Sequence, residues 1–194
     1  MNKKFAISGV VIIILISSLV IGQVVIKEDA LLKDPKFYLS LGDFFMKKGY
    51  ASNALSMYET ALELSPENTA TLNNLGFYYK EINPLLAEDY FNKALEIDPE
   101  YELARNNLAL LFNSLENYEQ AAYHLKFLVD DYPDNINYNY DYAINVANVF
   151  YYKSNSYEDL QIALKHFKIV YEMDPNFNHV LDNIKVLNEM ERLY

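Results

Sequence analysis

The stretch Thr69–Pro99, TATLNNLGFYYKEINPLLAEDYFNKALEIDP, decides how this chain folds. Read at helical spacing, it predicts two short amphipathic helices that meet at a tight turn. Pro99 ends the second helix, because a proline disfavours helical geometry in the residue before it. The apolar stripe of the first helix consists of Leu72, Leu75 and Tyr79, and that of the second consists of Ala87, Phe91, Ala94 and Leu95.

The same pattern recurs along the chain. Its closing prolines stand at Pro66, Pro99, Pro133 and Pro175, so the spacings are 33, 34 and 42 residues. A Leu-Gly pair, an aromatic residue, a small residue, a second aromatic residue, Ala-Leu and a final proline in this order resemble the tetratricopeptide repeat. The resemblance extends over residues 35–194 and rests on four units in tandem.

The resemblance implies an all-α fold, an α-solenoid of about four helix-turn-helix repeats closed by a C-terminal capping helix. The units cover residues 35–67, 68–100, 101–134 and 135–176, and the capping helix lies within residues 177–194. Each helix pair exposes apolar faces that it cannot bury alone, so stacked neighbours share one continuous core. We expect close contacts within each pair, and these are Gly42 with Ala54, Gly76 with Ala87, Ala109 with Ala121, and Ala143 with Ala163.

The fourth unit is the longest, and its first helix is expected to run from near Ile136 to Lys153. Ser156-Tyr157-Glu158-Asp159 has the pattern of a capping box that opens the second helix. Asp34-Pro35 has the composition of a helix start in the first unit, since Asp can cap free N–H groups and Pro is tolerated in the first turn.

The N-terminus predicts a single transmembrane helix before the repeats. A basic start, residues 1–4, precedes an apolar run over residues 5–26, which at helical rise spans about 33 Å against a hydrocarbon core of about 30 Å. Residues 27–34 form a linker. The lysines before the run favour a cytoplasmic N-terminus, with the repeats on the extracytoplasmic side of the inner membrane. A cleaved signal peptide is the alternative, although no Ala-x-Ala site precedes the linker.

The composition bears on the kind of partner. The formal net charge is −11 and the chain has no Cys, so a nucleic-acid ligand would be repelled and no thiolate metal site can form. His124, His166 and His179 lack metal-ligand spacing, and the first two are expected to face solvent. No phosphate loop is present. We therefore expect no enzymatic activity, no cofactor and no metal.

The resemblance also implies a binding groove lined by the first helices, which would hold an extended peptide or a partner helix. Stacked asparagine amides can grip a peptide backbone, because each offers both a donor and an acceptor. The predicted groove residues are Asn73, Asn74, Phe77, Asn106, Asn107, Leu110, Tyr140, Asp141, Ile144 and Tyr151. Co-chaperones of the family clamp acidic chain ends with groove lysines and an arginine, and of those positions only Asn74 fits here, so that activity is not carried over.

The long first helix of the fourth unit allows two interpretations. Its tyrosines and aliphatic residues fall on two nearly opposite sides, and a helix that is apolar on both sides normally has both covered. In one interpretation all of them belong to the core. In the other, Tyr140, Ile144 and Tyr151 form an aromatic anchor site for a partner.

These observations favour a membrane-anchored protein-interaction scaffold or assembly factor. The anchor would raise the effective concentration of the groove for partners in the envelope. The alternative is a soluble, periplasmic, chaperone-like protein released by cleavage.

Overall fold

The computed structural model describes residues 31–194, and nine α-helices lie between residues 35 and 191 of this part. A five-residue π-helix, Phe150–Ser154, continues the seventh helix. The α-helices are α1 (Pro35–Lys47), α2 (Ala51–Leu64), α3 (Thr69–Tyr79), α4 (Pro84–Ile97), α5 (Glu102–Ser114), α6 (Tyr118–Asp131), α7 (Ile136–Val149), α8 (Tyr157–Met173) and α9 (Val180–Glu191).

Short polar side chains set where these helices begin. Asp34 accepts a hydrogen bond from the backbone N–H of Lys36 and precedes Pro35, as the sequence predicts. Asparagines cap four later helices. Each accepts a hydrogen bond from a backbone N–H of the first turn, and such N–H groups have no partner within the helix. These capping residues are Asn68, Asn83, Asn117 and Asn135.

Consecutive helices pack as pairs, and the pairs stack in chain order. The pairs are α1 with α2, α3 with α4, α5 with α6, and α7 with α8, while α9 packs on α8. Each apolar cluster contains buried residues from more than one pair, so the core is shared between neighbours as the sequence predicts. The buried stripe Val180, Ile184 and Leu187 attaches α9 to the fourth pair.

The glycines of the first two units face aromatic rings, which the sequence did not predict, and the contacts with Ala54 and Ala87 stay predictions. A Cβ at Gly42 would lie 2.3 Å from Cε1 of Tyr58, and one at Gly76 would lie 2.5 Å from Cε1 of Phe91. Each ring belongs to the residue one helical turn after the expected alanine. Glycine is required because the ring, rather than a second backbone, fills the space beside it.

The fourth unit departs from the others at the end of its first helix. The predicted helix over residues 136–153 is α-helical only to Val149, and its last turn is the π-helix. Asn155 follows the π-helix and has a φ of 44°, in the left-handed region. The predicted capping box is wrong, since the Ser156 side chain caps nothing. The hydroxyl of Ser154 instead donates to Asp159 and accepts from the backbone N–H of Ser156.

The predicted transmembrane segment, residues 5–26, lies outside the described residues, as do the basic start and the first half of the linker. Among the helices that the structure describes, none combines the length and the apolar composition needed to cross a bilayer.

Candidate functional site: the first-helix face

Side chains of α1, α3 and α5 meet along one side of the stack, which we call the first-helix face. Nδ2 of Asn74 in α3 donates to Oδ1 of Asp43 in α1 over 2.7 Å. Nδ2 of Asn107 in α5 donates to Oδ1 of Asn73 in α3 over 2.8 Å. The first helices of three successive units are therefore joined directly, and not only through the second helices between them.

These bonds belong to a longer chain of polar contacts that we call the asparagine ladder. The Tyr58 hydroxyl donates to Oδ1 of Asp43 over 2.9 Å, and Nδ2 of Asn73 donates to Oδ1 of Asn74 over 3.2 Å. The ladder thus runs from Tyr58 to Asn107 across three units. The ladder holds the amides in fixed orientations. In the described part of the chain no donor reaches Oδ1 of Asn107, so this oxygen is available to a ligand.

The ladder stops before the fourth unit, and residue chemistry explains why. Asp141 follows Asn107 by 34 residues, as Asn107 follows Asn74 by 33, so it holds the same position in the fourth unit. Asn107 reaches back to the preceding unit by donating from its amide, whereas an ionised carboxylate has no N–H to donate. Within residues 31–194 the Asp141 carboxylate makes neither a hydrogen bond nor a salt bridge, and burial raises its pKa.

An apolar row runs beside the ladder residues. Its members lie three residues after Asn74, Asn107 and Asp141, and residues at this spacing are neighbours on a helix surface. The row consists of Phe77, Leu110 and Ile144, and Asp43 holds the same position in the first unit. Phe77 and Leu110 each keep 45% of their surface exposed, so the row offers apolar contact to a ligand. Asp43 was not among the predicted groove residues, although its place directly after Gly42 would have identified it.

The predicted groove residues differ in how much surface they offer. Asn73 is buried in the ladder, whereas Asn74, Asn106 and Asn107 are partly exposed. The Asn106 amide has no hydrogen bond within the described residues. Hydrogen bonds therefore bring Asn73, Asn74 and Asn107 together, with Asn73 buried beneath the other two.

Tyr140 lies at the joint between α7 and the segment that leads into α9. Its hydroxyl donates to the backbone oxygen of Asn178 over 2.8 Å. Its ring meets the rings of Phe167 and Phe177 edge-on, with centroids 5.7 and 5.3 Å away. Both the ring and the hydroxyl of Tyr140 are thus engaged within the protein.

Ile144 and Tyr151 instead line an open apolar cavity of about 240 Å³ between α7 and α9, which we call the end groove. Tyr151 is 65% exposed and Val186, on the opposite wall, is 50% exposed. The volume lies below the roughly 300–1,000 Å³ of small-molecule pockets, and it suits one or two side chains of a partner. The lining residues are Ile144, Ala147, Asn148, Phe150, Tyr151, Phe167, Asn183, Val186, Leu187 and Met190.

Two of the three histidines are not at the solvent-facing positions that the sequence suggested. His124 is only 7% exposed and stacks on Phe112, and burial lowers its pKa to about 4. Nδ1 of His166 lies 2.8 Å from Oδ1 of Asn139, and burial lowers the pKa of His166 to about 4. The prediction failed because second helices are covered on two sides, by their own partner and by the next unit.

No group of three or more His, Asp or Glu side chains in residues 31–194 is arranged to hold a metal ion. The first-helix face and the end groove offer fixed amides, exposed apolar side chains and a carboxylate without a hydrogen-bond partner in this part of the chain.

Stacked helix pairs, a shared core and a terminal helix define the class of protein, an all-α repeat solenoid. Residues 35–68 match the family model of the tetratricopeptide repeat. The first unit is therefore a tetratricopeptide repeat, and the later units repeat its fold.

Solved structures with this fold cover most of the described residues. YrrB, described as a tetratricopeptide-repeat protein with an unusual peptide-binding site, has a TM-score of 0.71 and 23% identity over 82% of this chain and 79% of that chain. MamA has a TM-score of 0.68 and 19% identity, covering 82% and 83%. PilF of Pseudomonas aeruginosa has a TM-score of 0.64 and 21% identity, covering 82% and 70%. At these identities the likeness concerns the fold.

A curated relative matches over a short segment. The BBSome complex member BBS4 of Bos taurus is 42% identical over 45 residues, which are 23% of this chain and 9% of that protein. The match therefore has the length of little more than one repeat.

Proposed function

We propose that this protein is a membrane-anchored interaction scaffold that binds a peptide or a partner helix along its first-helix face, on the extracytoplasmic side of the membrane. The tetratricopeptide-repeat fold supports interaction with protein or peptide partners in general. The observation that carries the proposal is the pairing of the asparagine ladder with the apolar row. Fixed amides suit a peptide backbone and exposed apolar side chains suit its side chains.

Two features of the first-helix face support binding of a ligand there. The side chains of Phe77 and Leu110 are about half exposed, although both lie on helices whose other faces are buried. The side-chain oxygen of Asn107, in the adjacent ladder, has no donor among the described residues. A ligand strand could therefore satisfy the oxygen and cover the apolar side chains at once.

Site-specific photocrosslinking tests the proposal in native membranes. A photoreactive amino acid at Phe77 or Leu110 should give a discrete crosslinked partner. The same amino acid at Leu85 or Tyr171 should not, because these exposed residues belong to the second helices α4 and α8. Equal crosslinking from both sets would place the interaction elsewhere.

The anchor part of the proposal rests on the apolar run over residues 5–26 and the lysines before it. The second candidate is a cleaved, soluble, periplasmic, chaperone-like protein, for which the small residues near the end of the run are the motivation. The intact mass of the native protein distinguishes the two, because cleavage would remove about the first 22 residues.

A further inference from the structure

At the C-terminal end of the first-helix face, we infer a docking site for a peptide segment in which a Lys or Arg lies close to a large aliphatic or aromatic residue. The cation would bind the Asp141 carboxylate and the apolar side chain would enter the end groove. The inference rests on the proposed function and specifies the chemistry of the partner.

The first step of the argument is that Asp141 and the end groove form one surface. Asp141, Ile144, Asn148 and Tyr151 follow one another at helical spacings of three, four and three residues, so they occupy one side of the helix. Ile144, Asn148 and Tyr151 line the end groove, and Asp141 therefore lies at its edge. The helix axis rises about 4.5 Å from Asp141 to Ile144 and about 15 Å to Tyr151.

The second step concerns what Asp141 lacks. Asp43, another carboxylate on a first helix, accepts hydrogen bonds from Tyr58 and Asn74. Asp141 accepts none within residues 31–194, and no described Lys or Arg pairs with it. A half-buried carboxylate without a donor favours a ligand that brings one, and hydrogen bonds from a cation to a carboxylate are among the strongest.

The third step concerns charge. The chain carries a net charge of −11, so a cationic segment is attracted and an acidic one is repelled over most of the surface. The walls of the end groove are neutral, with the Asn148 and Asn183 amides among apolar side chains. The apolar residue of the partner thus has a site that no charge disturbs.

The spacing of the two ligand residues follows from these distances. An extended peptide advances about 3.3 Å per residue, so an apolar side chain one to three positions from the cation would reach the part of the groove near Ile144. Tyr151 and Met190 would then cover its outer side, and their loss should weaken binding without affecting the cation.

The test uses the full chain in a mild detergent and random peptides displayed on phage. Selected peptides should share a Lys or Arg within about three positions of a large apolar residue. Fluorescence anisotropy with a synthetic selected peptide should show that Asp141→Asn weakens binding about tenfold. Glu172→Gln removes the same charge from α8 and should leave binding unchanged.

A double-mutant comparison separates direct contact from a general charge effect. Replacing the peptide Lys with Gln should weaken binding to the native chain and have little further effect on the Asp141→Asn variant. Tyr151→Ala with Met190→Ala should weaken binding of the Lys and Gln peptides by the same factor. Thermal unfolding followed by circular dichroism verifies that each variant is folded.

Failure of the inference and failure of the proposed function give different results. Peptides without a preferred cation, or equal binding by Asp141→Asn and Glu172→Gln, would overturn the inference. If such peptides still lost binding on Phe77→Ala, the first-helix face would remain a binding surface. If no peptide were enriched and Phe77 gave no crosslinked partner, both would be wrong.

Discussion

Oδ1 of Asn73 accepts a hydrogen bond from Nδ2 of Asn107, which lies 34 residues later in the chain and 2.8 Å away. This separation equals one repeat, so the bond joins one unit to the next. Asn73 is only 5% exposed, and water cannot easily replace Asn107 as its donor. The same bond helps to fix the Asn107 amide on the first-helix face, and it therefore couples stability to the geometry of the proposed site.

Asn107→Ala should lower the free energy of unfolding by about 1–3 kcal/mol, because it leaves the buried Asn73 oxygen without its donor. Urea denaturation measures the loss. Asn106→Ala is the matched control, since the adjacent Asn106 amide makes no hydrogen bond in the described chain, and it should change stability by much less. Equal effects would show that the bond contributes nothing specific.

Gly76→Ala should also destabilise the chain, although alanine is the better helix former. The new Cβ would lie 2.5 Å from Cε1 of Phe91, a side chain with no exposed surface and therefore little room to move. Overpacking of this kind costs about 1–3 kcal/mol, against a gain of up to about 1 kcal/mol from helix propensity. Thermal unfolding should show a lower midpoint, whereas Asn92→Ala on the exposed side of α4 should not lower it.

Comparison of the sequence with the structure shows which features residue patterns can predict. The closing prolines and the repeated apolar stripes predicted the helix pairs, because both depend on local backbone geometry and a fixed period. They did not predict that rings of Tyr58 and Phe91 would fill the spaces beside Gly42 and Gly76. Those contacts depend on the rotamers of residues from a second helix, which spacing alone does not fix.

The candidate site was predicted to a similar extent. The repeat pattern identified Phe77, Leu110 and the asparagines as residues of the first helices, and they do lie on those helices. It could not show that Asn73 and Asn107 bond to each other, or that the Tyr140 hydroxyl is used by Asn178. Such pairings join separate units, and they depend on how the units are rotated against one another.

The two buried histidines predict a pH dependence of stability. The pKa values of His124 and His166 are about 4 in the folded chain and about 6.5 for an unperturbed histidine. Between these values the unfolded state binds more protons, so the free energy of unfolding should fall as the pH falls from 6.5 towards 4. Above pH 6.5 these residues should cause no change. The raised pKa of Asp141 has the opposite effect on the free energy of unfolding as the pH falls.

Denaturation at pH 7 and pH 5 measures this dependence. His124→Phe removes one titrating group and keeps an aromatic ring against Phe112, so the difference between the two pH values should shrink. His179→Asn is the control, because His179 is 88% exposed by its side chain and asparagine tolerates the left-handed backbone found there. An unchanged difference in His124→Phe would contradict the assigned role of burial.

The proposed topology predicts the result of limited proteolysis on cells. Protease added to intact spheroplasts should degrade the repeats if they face outward, since loops between the helices are exposed to it. A cytoplasmic protein supplies the control for intact membranes and should remain protected. Degradation of the repeats only after lysis would reverse the proposed orientation.

Alanine at Tyr140 and at Tyr151 should affect the thermal midpoint differently, although both residues were grouped in one predicted site. Tyr140→Ala removes the hydrogen bond to Asn178 and the contacts with Phe167 and Phe177, so the thermal midpoint should fall by several degrees.

Tyr151→Ala should leave the midpoint nearly unchanged, because the side chain is 65% exposed. Its contact with the ring of Tyr152, 4.9 Å between centroids, is confined to the surface. Partner crosslinking at Ile144 should nevertheless decrease, since Tyr151 forms one wall of the end groove. A large loss of stability in Tyr151→Ala would instead assign the residue to the core. Tyr151 would then be held within the protein and not offered to a ligand, which would weaken the case for an apolar anchor at this end of the solenoid.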